Sequence, residues 1–146
     1  MNQKEYSQFS KTKFPASPIV KDTLMAFLTG GCICLIGQFI INFFISKGLP
    51  FEDASTLSSC SLIFLSALLT GLNIYGKIAK HAGAGTLVPI TGFANAIAAP
   101  AIEFKSEGYI LGLGAKMFVI AGPVIVYGVA SSVVAGIIIY ITEVIL

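Results

Sequence analysis

Residues 84–102, AGTLVPITGFANAIAAPAI, combine two properties that conflict in an ordinary membrane anchor. The stretch has no charged side chain, so it can enter a lipid bilayer. Pro89, Gly92, Asn95 and Pro100 interrupt it, however, and a proline removes a backbone donor and clashes with the preceding helical turn. Backbone groups freed in this way need partners from protein or from a water-lined cavity. The stretch therefore predicts a membrane protein that moves a solute and does more than tether.

The composition of the whole chain favours membrane insertion. Of its 146 residues, 55% are hydrophobic and 11% are charged, whereas soluble domains carry roughly 25% charged residues. A soluble fold of this length cannot hide that much apolar surface. The formal net charge of +2 is too small to indicate nucleic acid as a partner.

The apolar runs predict an all-α integral membrane protein with about four transmembrane helices. The predicted spans cover about residues 23–45, 56–75, 84–102 and 117–141. Residues 1–22 form a polar cytoplasmic tail, and residues 23–146 form a single membrane domain. The third span, broken by proline and glycine, either crosses fully or is re-entrant, dipping in and returning on the same side.

Lysine placement predicts the orientation of the chain, because cytoplasmic loops are usually richer in Lys and Arg. Six lysines precede the first span or lie between the second and third: Lys4, Lys11, Lys13, Lys21, Lys77 and Lys80. With four crossings, both termini are cytoplasmic. A re-entrant third segment leaves three crossings and moves the C-terminus to the outside.

Polar side chains inside the apolar runs are candidates for a hydrated path. Gln38 and Asn42 are four residues apart and share a helix face, Asn73 extends a polar face of the second span, and Thr91 and Asn95 repeat the spacing in the third segment. The alternative is hydrogen bonding between helices, typically about 0.6 kcal/mol per pair in membranes.

Charges and helix breaks flank this path. Lys116 either snorkels to the headgroups or supplies positive charge at the mouth of an anion pathway. Glu103 and Glu107 either attract a divalent cation at a mouth or lie in a solvated loop. The expected bending points of a channel are the proline and glycine positions Pro89, Gly92 and Pro123.

The sequence lacks the residues that catalysis and metal binding require. His81 is the only histidine, and beside Lys77 and Lys80 it is expected at the cytoplasmic surface. No Ser-His-Asp set is possible without it, and no second histidine can complete a metal site. Cys32, Cys34 and Cys60 lie in apolar runs, as packing residues do. The GAG string at residues 83–85 is not a P-loop, because no Gly-Lys-Ser/Thr follows it. We therefore expect no enzyme activity, no catalytic residue, no metal and no cofactor.

Four long strings resemble the SpoVA family of small membrane proteins from spore-forming bacteria. They are GGCICLIGQ near residue 30, LLTGLNIYGKI near residue 70, AGAGTLVPITGFANAI from Ala82 and EFKSEGYILGLGAKMFVIAGPVIVYG from Glu103. The resemblance covers about residues 20 to 140 and is greatest to the AC branch, whose pattern the AE-type branch shares. Gly76 departs from the family pattern, which has an aspartate there.

The resemblance implies movement of dipicolinic acid, as its calcium chelate, across the spore inner membrane in sporulation and germination. It also implies a complex with other SpoVA proteins, including a peripheral cytosolic subunit. We expect a passive channel or channel subunit. In one form of this hypothesis, membrane tension opens the channel. Four short spans enclose little space, so we expect a homo- or hetero-oligomer.

Two alternatives stay open beside the channel. A non-conducting scaffold of a SpoVA complex is favoured by the small size of the chain and by a ridge of small residues in the last span, Gly128, Ser132 and Gly136. A coupled secondary transporter commonly contains two internal repeats, and no convincing repeat is visible in this sequence.

Overall fold

The computed structural model describes Tyr6 and residues 18–145, and this part of the chain contains helices and no strand. It therefore confirms the prediction of an all-α protein. The predicted polar tail falls mostly outside the described residues. Six α-helices follow in order: α1 (Ile19–Ser46), α2 (Phe51–Gly71), α3 (Tyr75–Ala82), α4 (Ala84–Leu87), α5 (Ile90–Glu103) and α6 (Ala115–Tyr140). A 3₁₀ turn (Lys105–Glu107) and a π-helical segment (Tyr109–Gly114) connect α5 to α6, and a second π-helical segment (Ile141–Ile145) follows α6.

Three helices in the described part of the chain are long and apolar enough to cross a membrane: α1, α2 and the continuous helix Tyr109–Glu143 that contains α6. The predicted count of four crossings is therefore not confirmed. The third predicted span is split into α4 and α5, and the 14 residues of α5 reach only about 21 Å at 1.5 Å per residue. A hydrocarbon core is about 30 Å thick.

Glycine, proline and asparagine set several helix ends. Pro50 and Pro89 stand immediately before α2 and α5 in extended conformation, where the missing proline N–H removes no helical hydrogen bond. Asn73 has a φ of 57° in the turn after α2, a left-handed conformation that asparagine tolerates better than most residues. The second predicted span, about residues 56–75, therefore begins earlier, at Phe51, and ends at Gly71.

Residues 84–103, which comprise α4, the tip at Val88 and Pro89, and α5, form a re-entrant hairpin. The ascending arm α4 packs on α1, where the backbone of Gly85 lies against Gly30. The tip lines a shallow cleft with Gly31 and Cys34, close to the middle of α1. The hairpin therefore reaches about half the length of α1 from its N-terminal end.

The descending arm α5 returns toward the end from which the hairpin started. Ser66 hydrogen-bonds to Thr91 and Thr70 to Asn95, so an advance of four residues on α2 matches an advance of four on α5. Helices with this pairing run in the same direction. Residues 84–102 therefore turn back within the helix bundle, which is the geometry expected of the re-entrant alternative.

α6 runs antiparallel to α5, because Lys116 lies over Phe104 while Ile120 lines a cleft with Pro100. α1 and α6 consequently point one way and α2 the other, so the two ends of the described chain lie at opposite ends of the helices. Among the described residues, Lys47 alone lies at the C-terminal end of α1. The other described lysines lie at the opposite end, at the start of α1 or in the segments from α3 to the start of α6: Lys21, Lys77, Lys80, Lys105 and Lys116.

The interior of the bundle is made of small and hydroxyl-bearing side chains, and the large apolar side chains point outward. Phe39, for example, is 74% exposed. Such packing is typical of membrane helices, which associate through small residues and hydrogen bonds because lipid is as apolar as leucine. The buried positions include Ala54, Ser58, Ser66, Thr70, Tyr75, Ala82, Thr86, Thr91, Ala94 and Ala121.

Candidate functional site

Glycines let the re-entrant hairpin pack without side chains in the way. A Cβ atom at Gly85 would collide with the Thr29 hydroxyl oxygen and the Ala26 carbonyl oxygen of α1. A Cβ at Gly92 would collide with the carbonyl oxygens of Thr86 and Leu87, across the bend at the tip. Only glycine fits these two positions, so the hairpin conformation is built into the sequence at both arms.

A buried tyrosine ties α3 to both arms of the hairpin. The Tyr75 hydroxyl donates to the Thr86 carbonyl oxygen at 2.8 Å and lies 3.1 Å from the Thr91 hydroxyl. A phenol has one proton, so with that proton on the Thr86 carbonyl, the Thr91 hydroxyl donates to the tyrosine oxygen. Tyr75 is only 4% exposed, and it fixes the separation between the two arms.

A second set of hydroxyl groups joins α2 to α5. Ser66 donates to the Thr91 carbonyl oxygen at 2.6 Å. The Thr70 hydroxyl lies 2.7 Å from the Ser66 carbonyl oxygen and 2.9 Å from the side-chain oxygen of Asn95. One proton cannot serve both acceptors, so both contacts are satisfied when the Asn95 amide turns its nitrogen toward Thr70. Among the described residues, no buried side-chain polar atom lacks a partner.

Two adjoining clefts border α5 and form what we call the vestibule. The inner cleft, about 410 Å³, lies between α3, the hairpin and α6, and its polar lining comes from Tyr75, Thr86 and Asn95. The outer cleft, about 230 Å³, shares the lining residues Pro100 and Ile120 with the inner one and adds Phe104, Lys116 and Val119. The vestibule therefore extends from the hairpin arms to Lys116.

Lys116 is held at the outer end of the vestibule by an aromatic ring. Its ammonium nitrogen lies 4.6 Å from the centroid of Phe104, within the range of a cation–π interaction. The side chain is half-buried. Lys116 thus presents a positive charge where the vestibule begins.

A third cleft of about 460 Å³ adjoins the vestibule through Gly83, which lines both. It lies between the start of α1 and the end of α3, and Asp22, Lys80 and His81 supply its charged and titratable groups. The sequence suggested that His81 is a surface residue; it is exposed and lines this cleft.

Three of the six predicted path residues, Thr91, Asn95 and Lys116, lie at the hairpin and vestibule. Thr91 is buried in the hydrogen-bonded contact between helices, whereas Asn95 is half-buried and lines the inner cleft. The structure thus combines the two sequence interpretations: one polar residue serves packing and another borders a cavity.

The other candidates lie elsewhere. Gln38 and Asn42 are exposed on α1, hydrogen-bonded to each other at 3.0 Å. Asn73 does not extend the Ser66–Thr70 face, because it lies in the exposed turn beyond the end of α2. The remaining predicted positions fall at exposed helix ends or inside a helix: Glu103 ends α5, Glu107 ends the 3₁₀ turn, and Pro123 lies within α6.

Sequence reasoning missed Tyr75 and Gly85. A tyrosine beside an apolar run signals a hydroxyl that needs a partner when buried, and this signal was available at Tyr75. Gly85 belongs to the GAG string that was tested against the P-loop motif. Small residues in a membrane segment more generally indicate close helix approach, and this signal was available at Gly85. Gly76, the departure from the family pattern, is exposed in the first turn of α3, with open space around its Cβ position.

The comparisons with known proteins agree on one family. The model of the SpoVAC/SpoVAEB sporulation membrane protein family matches residues 22–138. Stage V sporulation protein AC of Bacillus subtilis (strain 168) is 46% identical over 138 residues, which cover 93% of this chain and 91% of that protein. No solved structure matches the chain. With a bundle of apolar helices around a re-entrant hairpin, the chain belongs to the SpoVAC/SpoVAEB family of sporulation membrane proteins.

Proposed function

We propose that this protein is a channel subunit that conducts dipicolinic acid, as its calcium chelate, across the spore inner membrane in sporulation and germination. The re-entrant hairpin carries the proposal, because non-helical backbone at membrane depth is tolerated only where protein shields it or where it lines a water-filled cavity. Here the hairpin borders the vestibule, whose lining includes Asn95 and Lys116.

The chemistry of the vestibule suits a small carboxylate. Lys116 at its outer end, and Lys80 in the adjoining cleft, raise the local concentration of anions. Deeper in, the half-buried amide of Asn95 can replace part of the hydration shell. The Tyr75 and Thr86 hydroxyl protons are already bonded to carbonyl oxygens of the protein. The inner cleft of about 410 Å³ falls within the roughly 300–1,000 Å³ typical of small-molecule sites.

The lysine distribution favours a cytoplasmic N-terminal end of α1, and the vestibule and the charged cleft then open to the spore interior. A peripheral cytosolic SpoVA subunit has access to the same end. The vestibule ends at Leu87 and Gly92, about half-way along α1, so a complete path needs a movement of the hairpin or further subunits. Thinning of a stretched bilayer changes helix tilt, and Pro89, Gly92 and Pro123 are the positions where we expect bending.

A non-conducting scaffold is the second candidate. It is favoured by the complete pairing of the buried polar atoms in the described residues, since a dry, fully bonded contact needs no water path. In that role the hairpin stiffens the chain, and other SpoVA proteins form the pore.

Flux and assembly measurements separate the two functions. We expect Asn95→Leu to reduce efflux of calcium dipicolinate from stretched proteoliposomes about tenfold, because it removes the amide from the inner cleft. With the calcium-free dipicolinate dianion as solute, Lys116→Gln should lower efflux several-fold at low salt and less at high salt, because steering of an anion by exposed charge is screened. Co-purification with the other SpoVA proteins should stay intact.

The controls are Asn73→Gly and Lys47→Gln, which remove an amide and a charge outside the vestibule; glycine keeps the left-handed turn at residue 73 free of strain. Both should leave efflux unchanged. If Asn95→Leu and Lys116→Gln also leave efflux unchanged while assembly persists, the channel proposal is wrong and the scaffold is supported.

A further inference from the structure

α1 carries a pair of exposed amide side chains beyond the tip of the re-entrant hairpin, on the side of the helix where Phe27, Gly31 and Cys34 border the shallow cleft at that tip. The Gln38 amide nitrogen donates to the Asn42 side-chain oxygen at 3.0 Å, and both residues are exposed. Within the described part of the chain, each of these amides has only the other as its side-chain partner. The Gln38 carbonyl oxygen and the Asn42 amide nitrogen therefore have no protein partner there.

The amide pair lies at membrane depth. Gln38 precedes Lys47 by nine residues, about 13 Å along the helix axis, and lies well within the 28 residues of α1. A hydrocarbon core about 30 Å thick, placed between Asp22 and Lys47, encloses Gln38 and brings Asn42 close to its edge. An amide facing lipid without a partner is unfavourable, so this face is expected to contact another protein surface.

The exposed residues around the amide pair, together with the half-buried Gly31, form one continuous stripe along α1. They recur at intervals of three or four residues, which keeps them on one side of the helix. A Cβ atom at Gly31 would meet nothing within 4 Å, so a second helix has room there. Gly37, which packs against α2 and accepts a hydrogen bond from Ser58, lies beside the stripe. The stripe comprises Leu24, Phe27, Gly31, Cys34, Gln38, Asn42 and Ile45.

We propose that this stripe is the contact between two copies of the chain, α1 against α1. Copies inserted in the same orientation are related by a rotation axis along the membrane normal, which brings equal positions together at equal depth. A carboxamide carries both a donor and an acceptor, so Gln38 and Asn42 can pair with their own copies. This inference goes beyond solute conduction and stands without it.

Native cysteines allow a direct test in the full chain. Cys34 lies on the stripe, whereas Cys32 lies about 160° away around the helix. We compare a variant that retains Cys34 (Cys32→Ser with Cys60→Ser) with one that retains Cys32 (Cys34→Ser with Cys60→Ser). In liposomes treated with copper phenanthroline, the Cys34 variant should form disulfide-linked dimers about tenfold faster, because a disulfide needs Cβ atoms within about 4.5 Å.

A second measurement tests the amides themselves. In the Cys34 variant, Gln38→Leu with Asn42→Leu should slow cross-linking about tenfold and raise the monomer fraction counted by single-molecule photobleaching, because the paired amides are gone. Gln38→Asn should retain most of the cross-linking, and Asn73→Gly, which removes an amide outside the stripe without straining the left-handed turn there, should change nothing. Helix content by circular dichroism checks that each variant is folded.

Two results would overturn the inference. The first is equal cross-linking rates for the Cys32 and Cys34 variants. The second is a folded double-leucine variant that stays as oligomeric as its parent. Because neither result depends on solute flux, failure of the α1 contact and failure of the proposed channel are distinguishable.

Discussion

The re-entrant hairpin and the second half of α6 contain similar residues in opposite environments. At the hairpin, Tyr75, Thr86 and Thr91 are buried and hydrogen-bonded to one another. In α6, every residue from Pro123 to Tyr140 is exposed. Ser131 and Ser132 there donate only to carbonyl oxygens of their own helix, at 2.7 and 2.9 Å.

The contrast shows that apolar character does not decide where a membrane helix packs. The second half of α6 is among the most apolar parts of the chain, yet none of its residues is buried in the described structure. The hairpin, with its glycines and hydroxyls, forms the closest contacts. In lipid, close backbone approach and interhelical hydrogen bonds replace hydrophobic burial as the source of association.

The largest expected difference in stability between the two regions comes from adding one methyl group to a glycine in each. Gly92→Ala should lower the free energy of unfolding by about 3 kcal/mol, because its Cβ would overlap the Thr86 and Leu87 carbonyl oxygens. Gly128→Ala, where the Cβ position is open, should leave stability unchanged or slightly raised. Unfolding by sodium dodecyl sulfate in mixed micelles measures both variants. Equal stability would mean that the hairpin does not pack as described.

Removing one tyrosine hydroxyl group from each region should give the next largest difference in stability. Tyr75→Phe should cost about 1–2 kcal/mol, because the Thr86 carbonyl and the Thr91 hydroxyl lose a buried partner. Tyr127→Phe, at a 74% exposed position, should have no measurable effect on the unfolding midpoint. Comparable losses in the two variants would argue against the buried tyrosine contact.

The smallest difference is expected from single hydroxyls. Ser66→Ala removes the bond to the Thr91 carbonyl and should cost about 0.6 kcal/mol, the average for interhelical pairs in membranes. Ser132→Ala removes only a bond within its own helix and should not destabilise the protein. Repeated unfolding titrations resolve the pair, and a larger loss for Ser132→Ala would show that α6 has a partner at that position.

Much of the architecture could be predicted from local composition. The apolar runs indicated α1, α2 and α6, and Pro89, Gly92 and Pro100 marked the segment that could not be a plain span. Asn73 lies off the predicted helical face for a local reason: the helix ends at Gly71, and the chain turns through a positive φ at Asn73. Tyr75 was missed because a side chain at a span end gives no indication of whether neighbouring segments will cover it.

The sequence alone determined the helical membrane class, the break at residues 84–102 and the family. Charge content, proline placement and long matching strings are properties of the chain itself. The direction of α5 and the pairing of hydroxyls across helices were decided by tertiary structure. The physical reason is that the backbone hydrogen bonds of residues 84–102 can be satisfied whether the segment crosses the membrane or turns back. Only the packing of Gly85 on α1 and the bonds from Tyr75 and Ser66 select the return.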